Sequence, residues 1–164
     1  NIAYKVLKKG DTFTLGDDVK FTVLSPAKPF TKENTQGVSE SGLTNNNSIV
    51  CKMTYGQFSM MFTGDAQKEA EDQIPKAYKP ADLKSDVLKV GHHGSKTSSS
   101  DAFVKAIAPK AATISCAAGN QYKFPHEPTL KTLQKYNVEV YRTDRNGTIT
   151  ITTDGSSYSI AKEH

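Results

Sequence analysis

Three times between residues 57 and 136, an apolar, strand-sized run leads into a turn bearing a carboxylate or an imidazole, and a helical pattern follows. The three turns are Thr63-Gly64-Asp65, Gly91-His92-His93-Gly94-Ser95 and Phe124-Pro125-His126-Glu127. No other feature narrows the fold as much. Strands joined through helical crossovers run parallel, so their C-terminal ends lie along one edge of a sheet. Polar groups at that edge project into the crevice where open α/β sheets bind ligands.

The remaining pattern fits around this centre. Alternation of apolar and polar residues predicts strands over 4–7, 12–15 and 21–24, with turns at Gly10-Asp11 and Gly16-Asp17-Asp18. Ser25-Pro26 closes that run. Residues 27–46 are polar and rich in Pro, Gly, Ser and Asn, and read as a long surface loop. Strands over 48–54 and 57–63 form a hairpin about Tyr55-Gly56. A helix over 66–74, a strand over 86–90, a helix over 101–107 capped by Ser100, and a strand over 112–116 come next. A helix over 128–136 has Pro128 in its first turn, and strands over 139–141, 148–152 and 158–160 complete the chain. The expected class is α/β with a mixed sheet and flanking helices, in one domain spanning 1–164.

With 164 residues, 36% of them hydrophobic and 23% charged, the chain can build a core and is not of disordered composition. No apolar run approaches the roughly 20 residues of a membrane span. Asn1-Ile2-Ala3-Tyr4 carries no signal-peptide pattern and no initiator Met, and reads as the middle of a longer protein. The net charge of +4 is compatible with a polyanionic ligand without specifying one. Cys51 and Cys116 lie in apolar strand-like stretches without metal-ligand spacing; two thiols are the simpler reading, a disulfide the other.

Each turn has a plain reading beside a chemical one. Asp65 stands where a helix N-cap would, and taken alone the cap is favoured. His92 and His93 are adjacent, and in an extended chain would point to opposite sides, one serving as metal ligand or acid while the other orients a neighbour. The alternative is an exposed turn with two solvated imidazoles, although two of the four histidines fall here between glycines. His126 is as readily a surface histidine near a helix start as a functional one, and His164 is terminal. Carboxylate plus imidazole suits zinc or manganese, and such an ion activates bound water for hydrolysis.

The motifs Asn45-Asn46-Asn47-Ser48-Ile49-Val50, Tyr55-Gly56, Phe62-Thr63-Gly64-Asp65, the run from Leu83 to Ser98 containing Gly-His-His-Gly-Ser, Pro125-His126, Tyr141-Arg142-Thr143-Asp144 and Asn146-Gly147-Thr148-Ile149 occur together. In these the sequence closely resembles the metallo-β-lactamase-fold domains of the ComEC/Rec2 competence type. The resemblance covers nearly the whole chain. It implies the C-terminal half of an αββα sandwich, with Asp65 as a metal-bridging carboxylate, His93 and His126 as further metal ligands, and His92 and His93 as catalytic groups at the same centre; which of His92 and His93 is ligand and which is proton donor stays open. Asn47, Ser48, Ser95 and Lys96 would contact substrate. The implied activity is metal-dependent hydrolysis of a phosphodiester in DNA uptake, with two zinc or manganese ions in the complete domain. Lys89, Lys96, Lys105 and Lys110 give the nucleic-acid preference slight support. The implied location is the outer face of a bacterial membrane or the exterior.

Two departures stand out. The family's early His-x-His-x-Asp-His-like cluster has no counterpart, since no histidine precedes His92. Where relatives carry Gly-His-Pro-His, this chain has Lys123-Phe124-Pro125-His126, and a phenyl ring cannot replace an imidazole ligand. The expected partner is therefore the missing N-terminal half-domain or a second copy, covering an otherwise exposed sheet face. The chain alone is expected to be inactive, and the rival reading is a non-catalytic module that binds DNA or protein.

Overall fold

The computed structural model describes residues 4–164. Its main sheet has seven strands in simple sequence order: β1 (Thr12–Leu15), β2 (Val19–Ser25), β3 (Val50–Tyr55), β4 (Phe58–Phe62), β5 (Val87–Lys89), β6 (Ala111–Ile114) and β7 (Glu139–Arg142). β1 to β4 form an antiparallel meander, and β4 to β7 are parallel. A separate hairpin pairs β8 (Ile149–Thr153) with β9 (Tyr158–Lys162). The mixed α/β sheet expected from the junctions is thus present, and strands 4 to 7 end along one edge.

Helices cover one face. α1 (Glu40–Asn46) precedes β3; α2 (Lys68–Glu71), α3 (Ile74–Ala77) and α4 (Pro80–Leu83) lie between β4 and β5. α5 (Asp101–Ile107) and α6 (Glu127–Lys135) flank β6, and a one-turn α7 (Thr143–Asn146) follows β7. The core on this side packs Val50, Met61, Leu88, Ala112 and Ile114 of the sheet against Ile74, Phe103, Ile107 and Leu133 of the helices. On the opposite face Phe58, Met60, Val87 and Ala111 are covered by Ile151, Tyr158 and Ile160 of the hairpin. That cover stops short of β1 and β2. There Phe13 stacks on Phe21 at 4.7 Å, Phe21 lies 6.3 Å from Phe62, and Phe13 and Leu15 remain exposed.

Four local expectations change. Residues 4–7 form no strand; Tyr4 and Val6 are exposed. Among the described residues the backbone pairing with neighbours begins at Lys9 and Gly10, whose N–H groups donate to Pro26 and Val23, and a strand needs such a partner for its backbone. The end of the 27–46 loop is helical. The Ser39 hydroxyl caps α1 by accepting from Gly42 N–H, and the buried Asn46 side-chain Oδ1 accepts from Gln67 and Ala70 N–H. The helix expected over 66–74 is replaced by single turns, with Pro75 and Pro80 each placed where the next turn starts. Ser100 stands at the N-cap of α5, but its hydroxyl makes no capping bond. Both cysteines are free thiols, Cys51 buried and Cys116 half-buried.

Candidate active site

Strand β4 ends at Phe62, and Gly64 turns the chain with φ +51° beneath Ser48. The Ser48 hydroxyl accepts the Asp65 N–H at 3.0 Å. Asp65 does not cap a helix, since Gln67 occupies the N-cap of α2. Its carboxylate is left to face the sheet edge, half-exposed.

After β5 the chain coils rather than extends. His92 (φ 47°, ψ 45°) and His93 (φ 56°, ψ 21°) both adopt left-handed backbone, a conformation uncommon outside glycine. Consecutive left-handed residues curl, so the two rings do not point to opposite sides as extended geometry would require. Instead both line one open cleft of about 740 Å³ together with Asp65, Gln67, Ser115 and Phe124.

His93 has the more telling hydrogen bonding. Its Nδ1 lies 2.7 Å from the Ser115 carbonyl oxygen, which can only accept, so Nδ1 carries the proton. In the neutral ring Nε2 then holds the lone pair, and it lies 3.9 Å from Asp65 Oδ1. A backbone carbonyl fixing one nitrogen and freeing the other is the usual support of a histidine metal ligand or acid–base group. The residue that joins Asp65 is thus His93.

His92 is set differently. Its Nδ1 lies 3.4 Å from both Gln67 Nε2 and Thr97 Oγ1. Burial lowers its pKa from 6.5, Asp65 pulls it upward, and His93 and His126 push it down. The neutral ring is therefore favoured in the fold, and its contribution to stability is present above the unfolded value of about 6.5 and lost as pH falls from there through the lower folded value. We expect a proton NMR titration to place the His92 midpoint below 6.5. Asp65→Asn should lower it further, because that substitution removes the attraction favouring the imidazolium; an unchanged midpoint would contradict this arrangement.

The other expected site residues divide. Ser95 lines the cleft, and its hydroxyl lies 2.9 Å from Thr97 Oγ1. Lys96 lies outside the cleft, on a neighbouring polar groove. Asn47 is occupied with framework: its side chain bonds Phe30 N–H, Phe30 O and Leu43 O. Ser48 acts only through Asp65 N–H. His126 lines the cleft, but both its nitrogens are engaged, Nδ1 accepting from Lys96 N–H at 3.0 Å and Nε2 donating to Tyr122 O at 3.1 Å. Phe124 sits among the imidazoles, with ring centroids 5.5, 6.1 and 5.0 Å from His92, His93 and His126.

Sequence reading missed Gln67, Ser115 and Tyr122. A carbonyl leaves no signal in residue identity, and Gln67 and Tyr122 lie in turns without periodicity. Lys89 is closer to the site than expected for a surface lysine: burial lowers its pKa, while Asp65 and Cys116 favour its charge. Its Nζ donates to Val90 O at 3.0 Å.

Among the described residues, no group of three or more His, Cys, Asp or Glu side chains is placed to hold a metal ion. Asp65 and His93 offer two donors, which is fewer than a zinc site takes from its protein. The described residues by themselves do not make a complete metal centre.

No family model matches the chain. It is similar to ComE operon protein 3 of Bacillus subtilis, at 39% identity over 148 residues, covering 90% of this chain and 17% of that protein. It is similar to competence protein ComA of Neisseria gonorrhoeae, at 34% identity over 64% of this chain and 15% of that protein. Recombination protein 2 of Haemophilus influenzae is 33% identical over 80% of this chain and 15% of its own length. The chain therefore spans about a sixth of the curated relatives it matches. Its fold is shared with a provisionally named metal-dependent hydrolase from Parabacteroides distasonis, with a TM-score of 0.52 at 19% identity, over 85% of this chain and 57% of that one. No helix among the described residues is long and apolar enough to cross a membrane.

Proposed function

We propose that this chain is the C-terminal portion of a metallo-β-lactamase-type domain, within a larger competence protein, that hydrolyses phosphodiester bonds of nucleic acid during DNA uptake. The observation that carries this reading is the approach of His93 Nε2 to Asp65 Oδ1 at the C-terminal edge of the parallel strands, with the His93 tautomer fixed by Ser115 O. The names of the competence relatives and the fold shared with a metal-dependent hydrolase support it.

The incomplete donor set sets the terms of the proposal. Zinc or manganese would draw on Asp65 and His93 and on donors from outside residues 1–164, and these residues alone are assigned no reaction step. The apolar face at Phe13, Phe21 and Phe62 suits a packing partner that would bring those donors, either an N-terminal half-domain or a second copy. We place the assembled domain on the outer side of the bacterial membrane.

Metal analysis tests the reading. The isolated chain is expected to retain no stoichiometric zinc or manganese and to cut no DNA. A longer protein including the upstream region should retain metal and lose it on Asp65→Ala or His93→Ala. Full metal retention by both variants would sink the proposal. Phe124 among the imidazoles favours a second reading, a non-catalytic module that binds DNA or protein. Salt-sensitive DNA binding by a metal-free longer protein would select it.

A further inference from the structure

The rim of the cleft carries an aromatic ladder that neither Asp65 nor His93 requires. Tyr122 stacks on Phe124, with centroids 5.4 Å apart and planes 20° from parallel. Phe124 in turn stacks on His93 at 6.1 Å and 24°. The inner end of the ladder is therefore the ring beside Asp65, and the outer end is Tyr122, which is 62% exposed.

The backbone that bears these rings is fixed by its own polar contacts. Asn120 Oδ1 accepts the Phe124 N–H at 2.9 Å, while its Nδ2 donates to Ala117 O and Phe124 O. The His126 N–H donates to Gly94 O at 2.9 Å. Thus a tyrosine that gains little from burial is still held in stacking position. That arrangement offers an ordered, uncovered aromatic ring to a planar ligand.

The same loop also borders a second cleft of about 630 Å³, which shares Ala117, Asn120 and Phe124 with the first. Lys123, Arg142 and Arg145 lie on it. Arg142 is paired with Asp144. Lys123 and Arg145 have no carboxylate within salt-bridge distance among the described residues. An aromatic platform flanked by uncompensated cations is how proteins grip single strands, whose bases are free to stack and whose phosphates follow the positive groove. A duplex keeps its base faces against one another and cannot use the platform.

We propose that residues 117–126 form a clamp for single-stranded nucleic acid, with a base stacked at Tyr122 on the Tyr122–Phe124–His93 ladder and phosphates lying along Lys123 and Arg145. This rests on the nucleic-acid reading above and deepens it, since the clamp leads a strand to the Asp65–His93 pair.

The test is fluorescence polarisation of a labelled oligothymidylate with the full chain, in EDTA at low salt. Tyr122→Ala should weaken binding about tenfold, whereas Tyr122→Phe should keep it within about twofold. Lys123→Ala and Arg145→Ala should each flatten the dependence of log K on log salt by about 0.7. A blunt duplex of equal length should bind more weakly and ignore Tyr122→Ala. Unchanged affinity in Tyr122→Ala, an equal loss on duplex, or no oligonucleotide binding at all would overturn the clamp. Because EDTA removes metal from the assay, the clamp can fail while metal retention succeeds, and the reverse.

Discussion

Gly94→Ala is expected to destabilise the protein by about 3 kcal/mol, combining a left-handed backbone penalty with overpacking. Gly94 has φ +85°, and a Cβ there would lie 2.5 Å from Pro125 Cβ and 3.1 Å from Pro125 Cα. Neither neighbour is the tip of a flexible side chain, so one segment has to move. The two segments in question are the His92–His93 turn and the Phe124–His126 stretch, already tied by His126 N–H to Gly94 O. Thermal melting should show a fall of about 9 °C for a chain of this size. The variant should also lose the ring contacts of Phe124 with His92 and His93, visible as altered imidazole shifts in NMR. Gly119→Ala supplies the contrast: φ +66° imposes backbone strain, but nothing lies within 4 Å of its Cβ. It should cost about 1 kcal/mol. Equal effects of the two substitutions would show that the close packing of Gly94 on Pro125 is unimportant.

Different kinds of interaction fix different parts of this fold, and they leave unequal traces in the sequence. The parallel strands were legible, because burial on both faces leaves apolar runs at β4, β5 and β6 and the crossovers announce themselves by helical spacing; the order of the strands was not read from the sequence. That the turns bearing Asp65, His92–His93 and His126 meet at one sheet edge followed from topology alone. What lay hidden was set by long-range polar contacts. Five of the seven residues of α1 are Ser, Gly, Thr or Asn, poor helix formers, and the helix is held through Asn46 to the N-terminal region of α2. The shared orientation of His92 and His93 depends on two left-handed residues, and nothing in a histidine pair signals that. His126 looked available as a ligand, yet its ring nitrogens bridge Lys96 and Tyr122. Glu71 lay in Lys68-Glu69-Ala70-Glu71-Asp72, a run that reads as a solvated helix face.

Glu71 carries the largest expected effect in the molecule. It is fully buried, and its two oxygens accept the Ser99 N–H at 2.6 Å and the Ser100 N–H at 2.7 Å. Those bonds hold the segment that leads into α5, which is otherwise pinned by Ser98 Oγ on Ala66 O and Lys68 N–H on Thr97 O. Through Thr97 the same segment reaches His92. Glu71→Ala removes both acceptors and leaves two amides with no partner, at about 2 kcal/mol each and about 4 kcal/mol together. We expect a fall of about 12 °C in Tm. Glu71→Gln keeps one carbonyl oxygen but turns an amide donor toward the other N–H, so it should rescue only part of the loss. Ser100→Ala, which keeps the Ser100 N–H on Glu71, should change Tm far less. Burial raises the Glu71 pKa above 4.5, against the lowering effect of the Ser100 and Ser99 bonds. The folded protein therefore holds this proton more tightly than the unfolded chain does. Stability linked to the group is complete below about 4.5 and declines as pH rises from there through the folded value. That decline should be visible in denaturant titrations of the native chain and absent in Glu71→Gln. Wild-type stability in the alanine variant would mean that the serine segment is held by its other contacts, and that the route from Glu71 to His92 does not exist.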